Sequence, residues 1–121
     1  MGDLLSKAEY AALAKDISLP SKAFINGAFK PAISGKTFAT NNPATGDFLT
    51  DVAACSSDDV DFAVSNAKEA FEDGRWRSIS PRERKAVLLK FANLLESHQY
   101  ELAVLESLDS GKPVSECQLV D

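Results

Sequence analysis

The stretch from Ser80 to Pro113 constrains this chain most, because it carries its own start signal, stop signal and apolar pattern. Ser80 is suited to cap a helix, Pro81 fits the first helical position, and Glu83 can reach back to close a capping box. At the far end Gly111 can take the left-handed conformation past a helix, and Pro113 stops it from resuming. Between them Val87, Leu88, Phe91, Leu94 and Leu95 recur at helical spacing. Leu102, Leu105 and Leu108 form a second stripe after the polar break Ser97-His98-Gln99. The spacing predicts a helical hairpin or kinked pair whose apolar faces need a partner surface.

The remaining sequence predicts short strands and two further helices. Residues 3–16 hold Leu4, Leu5, Ala8, Ala11, Ala12 and Leu13, a weakly amphipathic helix closed by Pro20 and suited to a docked arm. Asn26-Gly27 between apolar neighbours is a hairpin signal, since a type I′ turn needs two residues tolerant of positive φ. Ser34-Gly35-Lys36 and Asn42-Pro43-Ala44-Thr45-Gly46-Asp47 are further turns, with Thr37–Thr40 and Phe48–Cys55 reading as strands. Segment 23–55 is thus expected to be a small antiparallel meander, too small to be stable alone. Ser56 or Ser57 caps a helix carrying Val60, Ala63, Val64, Ala67 and Phe71 on one face, with Asp58 and Asp59 in its first turn. Trp76, between Arg75 and Arg77, reads as an anchor for the following connection. Ser115 is suited to cap one more element, so the polypeptide is expected to continue beyond Asp121.

Charge and residue inventory narrow the function. A net charge of -5 argues against a nucleic-acid partner. No apolar run approaches the ~20 residues of a membrane span. Met1-Gly2-Asp3-Leu4-Leu5-Ser6 fits a loose myristoylation pattern but has no second membrane signal, and Lys7, Glu9, Lys15 and Asp16 break up any secretory leader. A cytoplasmic location is expected. Cys55 and Cys117 belong to no metal-ligand cluster and read as free thiols. One histidine, His98, cannot build a His-based metal site or a nucleophilic triad, and it reads as a surface or hinge residue. Neither glycine-rich phosphate loop occurs. Glu96, Glu101 and Glu106 sit on polar helix sides. Asp109 beside helix-end carbonyls is the environment of a hard cation, though spacing alone favours a simple turn residue.

Several motifs occur in a fixed order: Phe24-Ile25-Asn26-Gly27, Thr37 through Gly46, Asp59-Val60-Asp61-Phe62-Ala63-Val64, Trp76, Ser80-Pro81-x-x-Arg84, and Glu106 through Pro113. Together, over residues 23–115, they resemble the amino-terminal region of the NAD(P)-dependent aldehyde dehydrogenase superfamily. The nearest flavour is the bacterial branch that oxidises γ-glutamyl-aminobutyraldehyde and related aminoaldehydes. The resemblance implies an α/β parent in which this segment is α+β, a β-meander followed by a helical group. It implies an arm over 1–20 and the first part of the cofactor-binding domain over 21–121. The implied activity is oxidation of an aldehyde to an acid with NAD or NADP, by thiolate attack, hydride transfer and thioester hydrolysis. The family's nucleophile, general base and cofactor-phosphate glycines lie downstream, so no catalytic or cofactor-binding residue is assigned here, and this segment alone is expected to be inactive. The resemblance also implies a structural K+ or Na+ held by the carbonyls of Thr40 and Asn41 and by Asp109; Asn41 replaces the family's usual apolar residue. A homo-oligomer is implied. The alternative is a non-catalytic interaction module on the same scaffold, and either reading leaves an apolar face through which an isolated fragment would self-associate.

Overall fold

The computed structural model describes residues 3–119, with the Leu119 side chain left aside, so the Met1-Gly2 signal and the final Val120-Asp121 lie outside the described residues. Among the described residues five helices and four strands follow in order: α1 Lys7–Asp16, β1 Ala23–Ile25, β2 Ala28–Lys30, β3 Thr37–Asn41, β4 Phe48–Ala53, α2 Ser57–Glu72, α3 Pro81–Ser97, α4 Gln99–Ser110 and α5 Val114–Leu119. They divide into two compact units. One takes in the polypeptide up to Leu19, Thr40–Thr50 and everything from Lys90 onward; the other takes in Pro20–Ala39 and Asp51–Leu89.

In the first unit α4 is central, with α1 and α5 packed on it. Its buried core is small: Tyr10, Ala103, Val104 and Cys117. The buried positions of α4 are therefore Ala103 and Val104, while Leu102 stays 43% exposed. α1 begins at Ser6, whose backbone N–H and hydroxyl both donate to the Glu9 carboxylate. That helix ends at Asp16, ahead of Pro20, with Ile17 already extended. The α3–α4 junction is the kinked pair expected from Ser97-His98-Gln99. His98 donates its N–H to the Leu94 and Leu95 carbonyls, and its carbonyl accepts from the Leu102 N–H, so hydrogen bonding runs across the bend.

Gly111 ends α4 with φ 75°, the left-handed conformation that a Cβ disfavours. The helix resumes sooner than its proline suggested. α5 starts at Val114, and the Pro113 carbonyl accepts from the Glu116 and Cys117 N–H groups. Proline's fixed φ and missing N–H suit a helix start as well as a stop, so Pro113 opens this helix and Ser115 falls inside it.

In the second unit β1 and β2 pair antiparallel in the register Phe24 opposite Phe29 and Ile25 opposite Ala28. Asn26 (φ 51°) and Gly27 (φ 74°) form the two-residue loop. The four expected strands are present, but as two separate two-stranded ladders, β1–β2 and β3–β4. The physical reason lies in residues 31–36. Pro31 has no N–H to extend the ladder, Gly35 turns back to the Ala32 carbonyl at 2.8 Å, and the Ile33 N–H is captured by Asp59. Asp59 is 4% exposed on the first turn of α2. α3 opens on the expected capping box, with Ser80 N–H on Glu83 at 2.8 Å and Glu83 N–H on the Ser80 hydroxyl at 3.2 Å.

The stripes that demanded a partner are largely uncovered. Val87, Leu88, Phe91, Leu94 and Leu95 remain between 43% and 59% exposed, and so do Val60 and Val64 on α2. Trp76 is 39% exposed.

Candidate functional site

The end of β3, the following turn and the end of α4 lie in one unit, in which the Thr40 side chain stands beside Asp109. The turn is built by Asn42. Its side-chain oxygen accepts from the Ala44 N–H at 2.9 Å, its carbonyl accepts from the Gly46 N–H at 2.7 Å, and its own N–H donates to the Asp47 carbonyl at 2.8 Å. Such a turn, closed by a side chain on the backbone, needs Asn or Asp at its head. The loop thus formed packs on the end of α4: a Cβ built on Gly111 would stand 3.0 Å from Pro43 Cγ.

Across this junction the Thr40 hydroxyl donates to Asp109 Oδ1 at 3.4 Å. That distance is long for an O–H···O bond, so the two groups lie side by side in weak contact. Asp109 and Asn41 are exposed and Thr40 is half-buried. The two side chains that meet are a hydroxyl and a carboxylate, oxygen donors of the kind hard cations prefer. Among the described residues no three His, Cys, Asp or Glu side chains gather into a metal cluster. Of the three expected ligands, Thr40 and Asp109 meet through their side chains, and Asn41 follows Thr40 as the last residue of β3.

Neighbouring charges are tied up structurally. Glu106 pairs with Lys112 at 3.4 Å, and the Ser107 hydroxyl donates to the Lys112 carbonyl at 2.7 Å, which fixes the backbone leaving α4. Cys117 is buried behind this loop. Burial, and then the nearby Glu106 carboxylate, push its thiol pKa up, the opposite of what a nucleophilic thiolate requires. Cys55 is a free, exposed cysteine. His98 and Glu101 face each other at 3.7 Å on the surface.

Residues 29–121 match the family model described as the aldehyde dehydrogenase family. The chain belongs to the aldehyde dehydrogenase family. Over all 121 residues it is 60% identical to the aminoacetaldehyde dehydrogenase of Pseudomonas aeruginosa, covering 24% of that protein. Its structure superimposes with a TM-score of 0.93 on the γ-glutamyl-γ-aminobutyraldehyde dehydrogenase of Burkholderia cenocepacia, at 42% identity, covering 97% of this chain and 24% of that one. It superimposes equally well, 0.93 at 41% identity over 98% of this chain and 24% of the other, on the indole-3-acetaldehyde dehydrogenase of P. syringae solved with NAD+ and IAA. The chain spans about a quarter of the length of these relatives.

In this aldehyde dehydrogenase segment, two positioning residues escape a reading of the sequence. Asp59 has the place of a helix-start charge, yet it also receives the Ile33 N–H at 2.8 Å from a segment 26 residues earlier. The Ser56 N–H at 2.8 Å and then that Ile33 N–H hold its carboxyl below the usual aspartate range. Arg84 stands in the sequence only as a motif member. Its guanidinium donates to the Ile79 carbonyl at 2.8 Å and fixes the loop before α3. The spacing of Arg84 after Ser80-Pro81 is the one hint of that role; nothing local points to the Asp59–Ile33 bond.

Proposed function

We propose that this chain is the amino-terminal portion of an NAD-dependent aldehyde dehydrogenase acting on a small aminoaldehyde. What carries the proposal is the 60% identity, over the full 121 residues, to a relative named aminoacetaldehyde dehydrogenase. The likeness to a γ-glutamyl-γ-aminobutyraldehyde dehydrogenase supports the aminoaldehyde class, and the NAD+ complex of another neighbour supports NAD as the cofactor. When bound, NAD accepts the hydride that leaves the substrate carbon.

The role of this segment is structural. Residues 1–20 form an arm, and residues 21–121 the first part of the cofactor-binding domain. The open apolar faces of α2 and α3, with Val64, Leu88 and Phe91 more than half exposed, are the surfaces that the downstream polypeptide covers. Thr40, Asn41 and Asp109 supply oxygen ligands to a structural K+ or Na+. The enzyme works in the cytoplasm as a homo-oligomer.

The test is purification of the native gene product from its source cells, with intact mass and aldehyde-dependent NADH formation measured together. A mass several-fold above 13.0 kDa with aminoaldehyde-dependent NADH formation is the expected outcome. A mass of 13.0 kDa, with no activity, would replace the proposal with a non-catalytic binding module. Exchange of sodium for potassium that left stability and activity unchanged would remove the cation from the account.

A further inference from the structure

We propose that Asn26 is a site of spontaneous deamidation, controlled by opening of the β1–β2 hairpin. The reaction needs only the adjacent residue and water. The Gly27 backbone nitrogen attacks the amide carbon of the Asn26 side group and closes a cyclic imide. The bond from that carbon to the Asn26 Nδ2 breaks, and ammonia leaves with the proton released from the Gly27 N–H. Water then opens the ring at either carbonyl, giving aspartate or isoaspartate with no change of oxidation state.

The attacking nitrogen is accessible at Asn26 and hindered at every other asparagine. Gly27 has no side chain, and nothing stands within 4 Å of where a Cβ would be. Asn41, Asn42, Asn66 and Asn93 are followed by Asn42, Pro43, Ala67 and Leu94. Proline has no N–H to lose, and the other three place a side chain beside the nitrogen. Asn66 is further restrained, its amide donating to the Phe62 carbonyl at 2.7 Å. Both Asn26 and Gly27 are exposed, so water reaches the imide freely.

The folded turn opposes the reaction and the weakness of the hairpin permits it. Asn26 is the one non-glycine residue with positive φ among the described residues, at 51°. In that left-handed region ψ is near +47°, which aims the following nitrogen away from the residue's own side chain. Ring closure needs the backbone rotated about the Cα–C bond until that nitrogen eclipses Cβ, so the turn must open first. Two strands of three residues each are marginal as a ladder, and Phe24 and Phe29 are 65% and 61% exposed although their rings meet at 5.1 Å. The isoaspartate product adds a backbone carbon to a two-residue loop. A type I′ turn cannot absorb it, so the Phe24–Phe29 register is lost for good.

The experiment incubates the protein at mildly alkaline pH, with and without concentrated urea. Peptide masses report amide-to-acid conversion at each asparagine, and enzymatic methylation reports isoaspartate. Conversion confined to Asn26, and about tenfold faster in urea as a marginal hairpin implies, is the expected result. Gly27→Ala slows conversion severalfold in urea, where folding of the variant is irrelevant. Conversion of the other asparagines at the same rate, no acceleration in urea, or no effect of Gly27→Ala in urea would each overturn the proposal.

Discussion

Replacing Gly111 with alanine isolates the contact that seats α4 on the Asn42–Asp47 turn. Two costs act there. The first is conformational: φ is +75°, and a left-handed backbone costs an L-residue about 1–2 kcal/mol. Part of this, about 0.4–1 kcal/mol, returns because alanine restricts the unfolded state. The second is steric, since the new Cβ would stand 3.0 Å from Pro43 Cγ and 3.7 Å from the Ala44 nitrogen. Forcing that space open costs about 1 kcal/mol, the low end for overpacking. Gly27→Ala is the control, because Gly27 has nearly the same φ, +74°, and open space around it. Gly111→Ala should therefore exceed Gly27→Ala by about 1 kcal/mol. With a slope of about 1–2 kcal/mol per molar urea, the unfolding midpoint falls by an additional ~0.5–1 M. Urea titration followed by far-ultraviolet circular dichroism reads this directly. In a Pro43→Ala background the excess should vanish, because Cγ is gone. Equal costs for the two glycines, or an excess that survives Pro43→Ala, would refute the contact as the cause.

Other perturbations follow from the same structure. Asp59 accepts from the Ser56 and Ile33 N–H groups, which depresses its pKa in the fold. A depressed carboxyl stabilises the fold above its unfolded pKa, and that contribution is lost as pH falls through the folded pKa. Asp59→Asn should flatten the acid side of a stability-versus-pH curve; an unchanged acid limb would count against the assignment. A thiol reagent should modify exposed Cys55 at least about tenfold faster than buried Cys117, with the difference lost in denaturant, as read by peptide mass. Tyr10→Phe removes a hydroxyl that accepts from the Leu5 N–H and donates to Gln118. It should lower stability by about 1–2 kcal/mol in urea titration while leaving helix content unchanged.

The local signals proved readable because each is closed within a few residues. Ser80 with Glu83, and Asn42 with its following turn, make the bonds their spacing anticipates. Pro113 shows the limit of such reading, since the same fixed φ that ends one helix begins the next. The apolar stripe of α3 is equally plain in sequence, but a period identifies only which face needs covering. Whether it is covered depends on polypeptide packed against it, and in this segment the stripe stays open.

The sequence by itself determined α1 to α4, the Ser80 cap, the turns and the family, because those rest on bonds and motifs between near neighbours. Tertiary structure decided the rest. It split the strands into two ladders by drawing the Ile33 N–H onto Asp59. It seated the α4 terminus on Pro43 and set Asp109 beside Thr40, 69 residues away in sequence. Spacing alone favours a plain turn at Asp109, and only the family motif singles it out as a ligand. A carboxylate acquires partners at that range only when the helix that carries it is packed against another part of the polypeptide, and no local rule encodes that distance.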